Sequence, residues 1–226
     1  TIEIKLGQGI KFHNGEELTS AAVKFSYENI ISEESQALWK SMLSPIREIE
    51  TPDDYTALVH TKEPNRALLR NLTLACIMSE SIYNEIGGNW ATKAIGTGPF
   101  KFVEYQPGSH VILERNEDYW GPRPALKRIA FRIIVENGTR ISALKSGDVM
   151  MINNVPPDQA QSIDADENLQ ILSTPTARII YCGMRCDRPV FQDVRVRQAV
   201  NYAVDKQAIV DGLFAGLTEV AAGPLA

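Results

Sequence analysis

Between Ile95 and Gly121 the chain reads IGTGPFKFVEYQPGSHVILERNEDYWG, and no other stretch narrows its folding options as much. FKFVEY and HVILER are rich in the aromatic and branched residues that strands favour, and the QPGS between them carries the proline and glycine of a turn. A hairpin is predicted here, entered through the tight GTGP and left through the aromatic turn NEDYWGPRP. The stretch holds no obvious catalytic group, so its purpose must first be sought in folding.

The same alternation extends in both directions. TIEIKL reads as a half-buried strand, and GQGIKFHNGEELT as a turn, a short strand and a second turn, with HNG tolerating positive φ. Thr19 is a good N-cap for a helix whose Val23, Tyr27, Ile30 and Ile31 share one face. SPIREIETPDDYTALVHTKEP predicts a second hairpin, with Ile46 and Ile49 on one strand, a Pro-Asp-Asp turn, and Tyr55, Ala57 and Val59 alternating on the other. The segment 66–87 reads as helix then loop, and IAFRIIVE as a strand. TRISALKSG reads as a helix closed by Gly147. VMMINN, PPDQAQSIDAD and NLQILSTP follow as strand, helix and strand, then ARIIYCGMRC as a strand and DRPVFQD as a loop. Two helices end the chain, one with Asp193 as N-cap and one running from Asp205 to Gly216. Strands interleaved with helices and hairpins specify a mixed α/β fold rather than a doubly wound parallel sheet. The start inside a strand and the stop after GLTEVAAGPLA lead to the expectation of a piece of a longer protein.

Composition excludes several classes. A chain of 226 residues can form one large domain or two small ones, and it contains no apolar run of membrane-spanning length. With 23 basic against 28 acidic residues it lacks the positive excess that phosphate neutralisation requires, which argues against nucleic acid as a partner. Cys76, Cys182 and Cys186 define no disulfide framework. If YCGMRC is extended, four residues at about 3.3 Å each keep Cys182 and Cys186 too far apart to bond, and free thiols are preferred to a metal pair because no histidine lies nearby.

Catalytic signatures are missing. There is no G-x-S-x-G elbow, no phosphate loop and no dinucleotide fingerprint. His13, His60 and His110 sit in or beside predicted strands with no second ligand at metal spacing, so neither a metal nor a cofactor is expected. NLT at Asn71 and NGT at Asn137 match a glycosylation pattern that arises often by chance. The acidic pairs Glu16–Glu17, Glu33–Glu34 and Asp53–Asp54 read as solvated surface rather than acid/base pairs.

Four stretches taken together resemble one family: IKLGQGIKFHNGEELTSAAVKFSYENI, IGTGPFKFVEYQPG, RNEDYWGPRPALKRIAFRII and DVRVRQAVNYAVDKQAIVDGLFAG. They are similar, in order and spacing, to the large substrate-binding proteins of bacterial ABC importers that take up peptides, nickel chelates and related solutes. The resemblance implies a periplasmic-binding-protein-like fold of two lobes closing on a solute by a hinge. Residues 1–176 would then belong to the first lobe and 177–226 to the crossover into the second. It implies a binding protein without enzymatic activity, a monomer located in the periplasm or outside the cell, with a membrane permease as partner. A second function compatible with the same lobes is presentation of a ligand to a sensor.

The resemblance further implies that Gly96 to Pro99 form the turn launching the strand at Phe100, and that Asn116, Tyr119, Trp120 and Gly121 make a packed turn behind the cleft. Tyr119 and Trp120 have two readings, core packing and stacking on a ligand, with packing preferred. Arg185 stands where the family commonly has Asn; its fork of donors suits a carboxylate or phosphate, or it pairs with Asp187. Met184 precedes it in the same cleft segment. Arg115 matches a cleft-facing position, with pairing to Glu114 or Glu117 as the alternative. Met78 lies in the 75–79 loop that resembles the cleft mouth, where it offers either an adaptable contact or a core methionine.

Overall fold

The computed structural model describes residues 1–87, 93–174, 176 and 178–223. Two compact units divide it, Thr1–Ile133 and Ile134–Ala226.

The first unit is built on two antiparallel sheets. β1 (Ile2–Lys5), β2 (Ile46–Asp53) and β3 (Thr56–Thr61) pair in the order β1-β3-β2. Period-two alternation sends Ala57 and Val59 of β3 into the core, and the register sets Val59 opposite both Ile2 and Ile49. α1 (Ser20–Ile31) covers this face with Val23, Tyr27 and Ile30, the residues predicted from helical spacing, while Ile31 packs at the margin. Burial also raises the Tyr27 phenol above its ordinary range. α2 (Lys40–Leu43) and α3 (Leu68–Leu72) close the same core with Leu43, Leu68 and Leu72.

A second cluster, Phe12, Leu18, Ala22 and Ile82, lies under the 10–18 segment and α4 (Glu80–Glu85). The 66–87 segment thus folds as two short helices with a loop between them rather than one helix and a loop. The signal for the second was Ser79, whose hydroxyl accepts from the Ile82 N–H as an N-cap. Thr19 occupies the N-cap position of α1, but its hydroxyl makes no capping bond. Ser20 supplies the anchor instead, donating its N–H to the Asp54 carbonyl at 2.7 Å and its hydroxyl to that of Asp53 at 2.6 Å. The hairpin turn is shifted one step from the expected position: Pro52 remains in edge strand β2, where its missing N–H costs no ladder bond, and the chain reverses at Asp54–Tyr55.

β4 (Phe100–Gln106), β5 (His110–Arg115) and β6 (Arg128–Arg132) form the second sheet in that order. The predicted hairpin is present, with its turn at Pro107–Ser109 and a register shift between Phe102 and Glu104.

The second unit contains α5 (Asn137–Lys145), α6 (Pro157–Asp164), α7 (Pro189–Gln192), α8 (Val194–Ala203) and α9 (Lys206–Leu213). Asp193 caps α8 through the Arg195 N–H and Asp205 caps α9 through the Ala208 N–H, both at 2.9 Å. The loop expected at DRPVFQD carries α7, opened by Pro189 at its first position. The strands expected at VMMINN, NLQILSTP and ARIIYCGMRC do not form among the described residues; Pro175 and Ala177, within the last two, lie outside them, as do Pro224 to Ala226. Their apolar residues explain the difference. Met150, Met151, Leu172, Ile180 and Tyr181 are exposed, and the segments find no neighbouring strand to pair with. No described helix is long and apolar enough to cross a membrane.

Leu68 and Leu69 separate core from surface at adjacent positions, since Leu68 is fully buried and Leu69 is 65% exposed. Leu68→Ala is expected to cost about 2–5 kcal/mol and Leu69→Ala within about 0.5 kcal/mol, read as the difference in urea unfolding midpoints.

Candidate functional site

Within the first unit, three of the stretches quoted for the family resemblance meet at the Gly96–Pro99 turn. In the preceding 10–18 segment, Phe12 is buried, its N–H donates to the Glu16 carbonyl and its carbonyl accepts from the Gly15 N–H, closing a tight turn over residues 13–15. Gly15 takes φ +93, a conformation that favours glycine. His13 opens the turn that follows the buried Phe12 and meets the Gly96–Pro99 turn.

His13 grips that turn at three points. Its N–H donates to the Gly96 carbonyl at 2.8 Å, and its ring Nδ1 accepts from the Gly96 N–H at 3.2 Å. An N–H can only donate, so Nδ1 is the unprotonated nitrogen, and Nε2–H donates to the Gly98 carbonyl at 3.0 Å. From the other side, buried Asn116 donates its side-chain amide to the same Gly98 carbonyl at 3.2 Å and its backbone N–H to the Pro99 carbonyl at 2.8 Å. The turn is thereby clasped between the 10–18 segment and the end of β5.

The aromatic turn builds on this clasp. Trp120 donates its indole N–H to the Thr97 carbonyl at 3.1 Å while 59% of the residue stays exposed. Its ring centroid lies 5.2 Å from that of Tyr119, the two planes tilted by 51°. The Tyr119 ring also folds over Gly121, where a Cβ would come within 2.7 Å of a ring carbon, so this position requires glycine unless the ring moves. Tyr119 is half-buried, whereas Trp120 is a fixed aromatic surface facing solvent rather than core.

Arg115 holds the far side of the turn. Its side chain is only 8% exposed, and it donates to Glu117 through Nε and Nη2 and to the Pro124 carbonyl through Nη1 at 3.0 Å. Arg123 meets the other Glu117 oxygen at 2.6 Å. The Arg115 guanidinium, with Arg123 beside it, holds the Glu117 carboxyl below the ordinary carboxylate range.

Met78 sits half-buried on the loop before α4, remote in sequence from the aromatic turn. Its backbone is fixed by fully buried Ser26, whose hydroxyl accepts from the Met78 N–H at 2.8 Å and lies 3.0 Å from the Met78 carbonyl. In the second unit, exposed Arg185 forms a two-pronged pair with Asp187 through Nε and Nη2, the alternative named from sequence. Met184 beside it is half-buried, and all three cysteines are exposed free thiols.

Two residues read as solvated surface have structural partners. Glu16 accepts from Ser79 and Ser81 at 2.9 and 2.6 Å, tying the turn at Asn14–Gly15 to the start of α4. Glu17 accepts from the Tyr55 hydroxyl at 2.6 Å, which pushes that phenol above its usual range. Nothing in their spacing points to these partners, which lie 38 to 65 positions away in the chain.

Solved structures with this fold are solute-binding proteins. The agropinic acid complex of AgaA from A. tumefaciens R10 is 31% identical, with a TM-score of 0.81 over 95% of this chain and 44% of that one. The nonapeptide complex of the oligopeptide-binding protein AppA from Bacillus subtilis is 30% identical, with a TM-score of 0.84 over 99% of this chain and 46% of that one. The fold class is therefore that of the two-lobe periplasmic binding proteins, of which this chain covers under half. The family model for bacterial extracellular solute-binding proteins, family 5 Middle, matches residues 1–226, and the chain belongs to that family. Among curated relatives, the glutathione-binding protein GsiB of Pectobacterium atrosepticum is 30% identical over 100% of this chain and 44% of its own length. The chain thus spans under half the length of such relatives.

Because His13 and Asn116 converge on one carbonyl oxygen, their losses should couple. His13→Ala and Asn116→Ala are each expected to cost about 1–3 kcal/mol, with a coupling of about 0.5 kcal/mol or more in a double-mutant cycle followed by urea unfolding.

Proposed function

We propose that this chain is part of the solute-binding component of an ABC importer, capturing a peptide or related small solute outside the cytoplasm and passing it to a membrane permease. The observation that carries the reading is the match of residues 1–226 to the extracellular solute-binding family. Support comes from the solutes of its relatives: a nonapeptide for AppA, agropinic acid for AgaA and glutathione for GsiB. These are flexible, polar molecules bearing carboxylates or main-chain amides. Capture of such a solute is a population shift toward a closed form and requires no reacting group, in keeping with relatives that are binding proteins rather than enzymes. The reading makes this protein a monomeric binding protein without catalytic activity, its residues 1–176 belonging to one lobe and 177–226 to the crossover.

Each unit contributes chemistry suited to such solutes. In the first, Trp120 and Tyr119 offer an aromatic surface, Arg115 positions it through Pro124, and Met78 supplies a polarizable contact. In the second, Arg185 offers a planar fork of donors, and a solute carboxylate would exchange for Asp187, with Met184 as its apolar neighbour.

A thermal-shift panel of dipeptides, longer peptides, glutathione and opines against the full-length protein tests the function. One class is expected to raise Tm by several degrees, since a solute at a hundredfold its Kd stabilises by about 2.7 kcal/mol. A cooperative melt that no class moves would overturn solute capture. With the solute in hand, Arg185→Ala is expected to weaken binding about ten- to a hundredfold by calorimetry, and unchanged affinity removes Arg185 from the site.

A further inference from the structure

The first sheet has a second face, and the same alternation that buries Ile49 and Val59 brings Glu48, Glu50 and His60 out on it. The register places Glu48 directly opposite His60 and Glu50 opposite Leu58, so both carboxylates flank one imidazole. One ligand atom from each of the three lies within 4.8 Å of the other two. Local sequence spacing around His60 offers no second ligand; the β2–β3 pairing supplies two.

The imidazole is the informative member. Its side chain is 19% exposed, and Nδ1 lies 2.9 Å from the Thr1 hydroxyl. Its Nε2 is buried without a hydrogen-bond partner, and Glu50 Oε1 lies 3.5 Å from it. With Nδ1–H donated to Thr1, the Nε2 lone pair faces the carboxylates, and a proton or a metal cation between them relieves the repulsion. Arg47 engages Glu48 through Oε1 alone, which leaves Oε2 available.

We propose that Glu48, Glu50 and His60 form a site for a divalent cation of the zinc type, bridging β2 and β3. One imidazole nitrogen with two carboxylate oxygens and an open fourth position is a zinc donor set, whereas magnesium and calcium prefer oxygen alone. Ligands about 2.1 Å from a tetrahedral ion stand roughly 3.4 Å from one another, close to the 3.5 Å His60–Glu50 separation, and the site closes when Glu48 draws in from within 4.8 Å. The Thr1 hydroxyl on Nδ1 serves as the outer partner that orients a metal-binding histidine. An ion here joins two strands of the sheet that carries the main core and adds to stability without touching solute chemistry.

The test is titration of chelator-treated, full-length protein with zinc chloride by calorimetry, paralleled by cobalt(II) and its visible absorption. One equivalent is expected to bind saturably with the intense bands of tetrahedral cobalt. His60→Gln and, at an exposed position, Glu50→Gln are each expected to weaken binding at least about tenfold. His110→Gln, which removes the histidine beside Glu104, is expected to leave it unchanged. Absence of saturable binding, binding that survives His60→Gln, or loss in His110→Gln would each overturn the proposal.

Discussion

The carbonyl oxygen of Gly98 accepts two hydrogen bonds, one from His13 and one from Asn116, and the arrangement of the first unit depends on it. His13 follows Phe12, whose side chain fills the core beneath α1 and α4, while Asn116 directly follows β5 of the second sheet. A half-buried carbonyl gains from being satisfied, and here one donor follows the buried Phe12 and the other is the buried Asn116. The turn is held from both ends, and Trp120 can then rest its indole N–H on Thr97 with its ring still in solvent. A surface aromatic ordinarily gains little from being fixed; one tethered at its edge has less entropy to lose when a ligand covers its face.

This arrangement accounts for the distinctive motifs of the first unit. Residues such as Gly96, Asn116 and Gly121 are dictated by backbone approach and carbonyl satisfaction, not by reactivity. The strongest sequence signals of this chain are accordingly those of folding. Membership in the extracellular solute-binding family rests on the match of those signals across residues 1–226.

Legibility followed the range of the interaction. The caps Asp193 and Asp205 bond N–H groups two and three residues away, so composition near the helix start was sufficient. Thr19 shows the limit of that logic: its hydroxyl makes no capping bond, and the helix start is anchored through Ser20 to the hairpin carbonyls of Asp53 and Asp54. VMMINN, NLQILSTP and ARIIYCGMRC carry strand-like composition, yet a strand exists only when a neighbour supplies the ladder, and composition holds no record of the neighbour. Arg115 and Arg185 divide along the same line. Both pairings, to Glu117 and to Asp187, span two residues and were among the readings available, but only the fold showed the first to be nearly buried under Pro124 and the second to be open to solvent.

The sequence by itself determined the mixed α/β class, the two hairpins, the helix face of α1 and the family, because each is encoded in local periodicity, turn chemistry or contiguous motifs. Tertiary structure alone decided that His13 serves as a clasp, that Glu16 and Glu17 anchor rather than merely solvate, and that Glu48 and Glu50 meet His60. Those decisions belong to strand register and to contacts across dozens of residues. No window along the chain contains both partners, so the chain had to fold before the pairs existed.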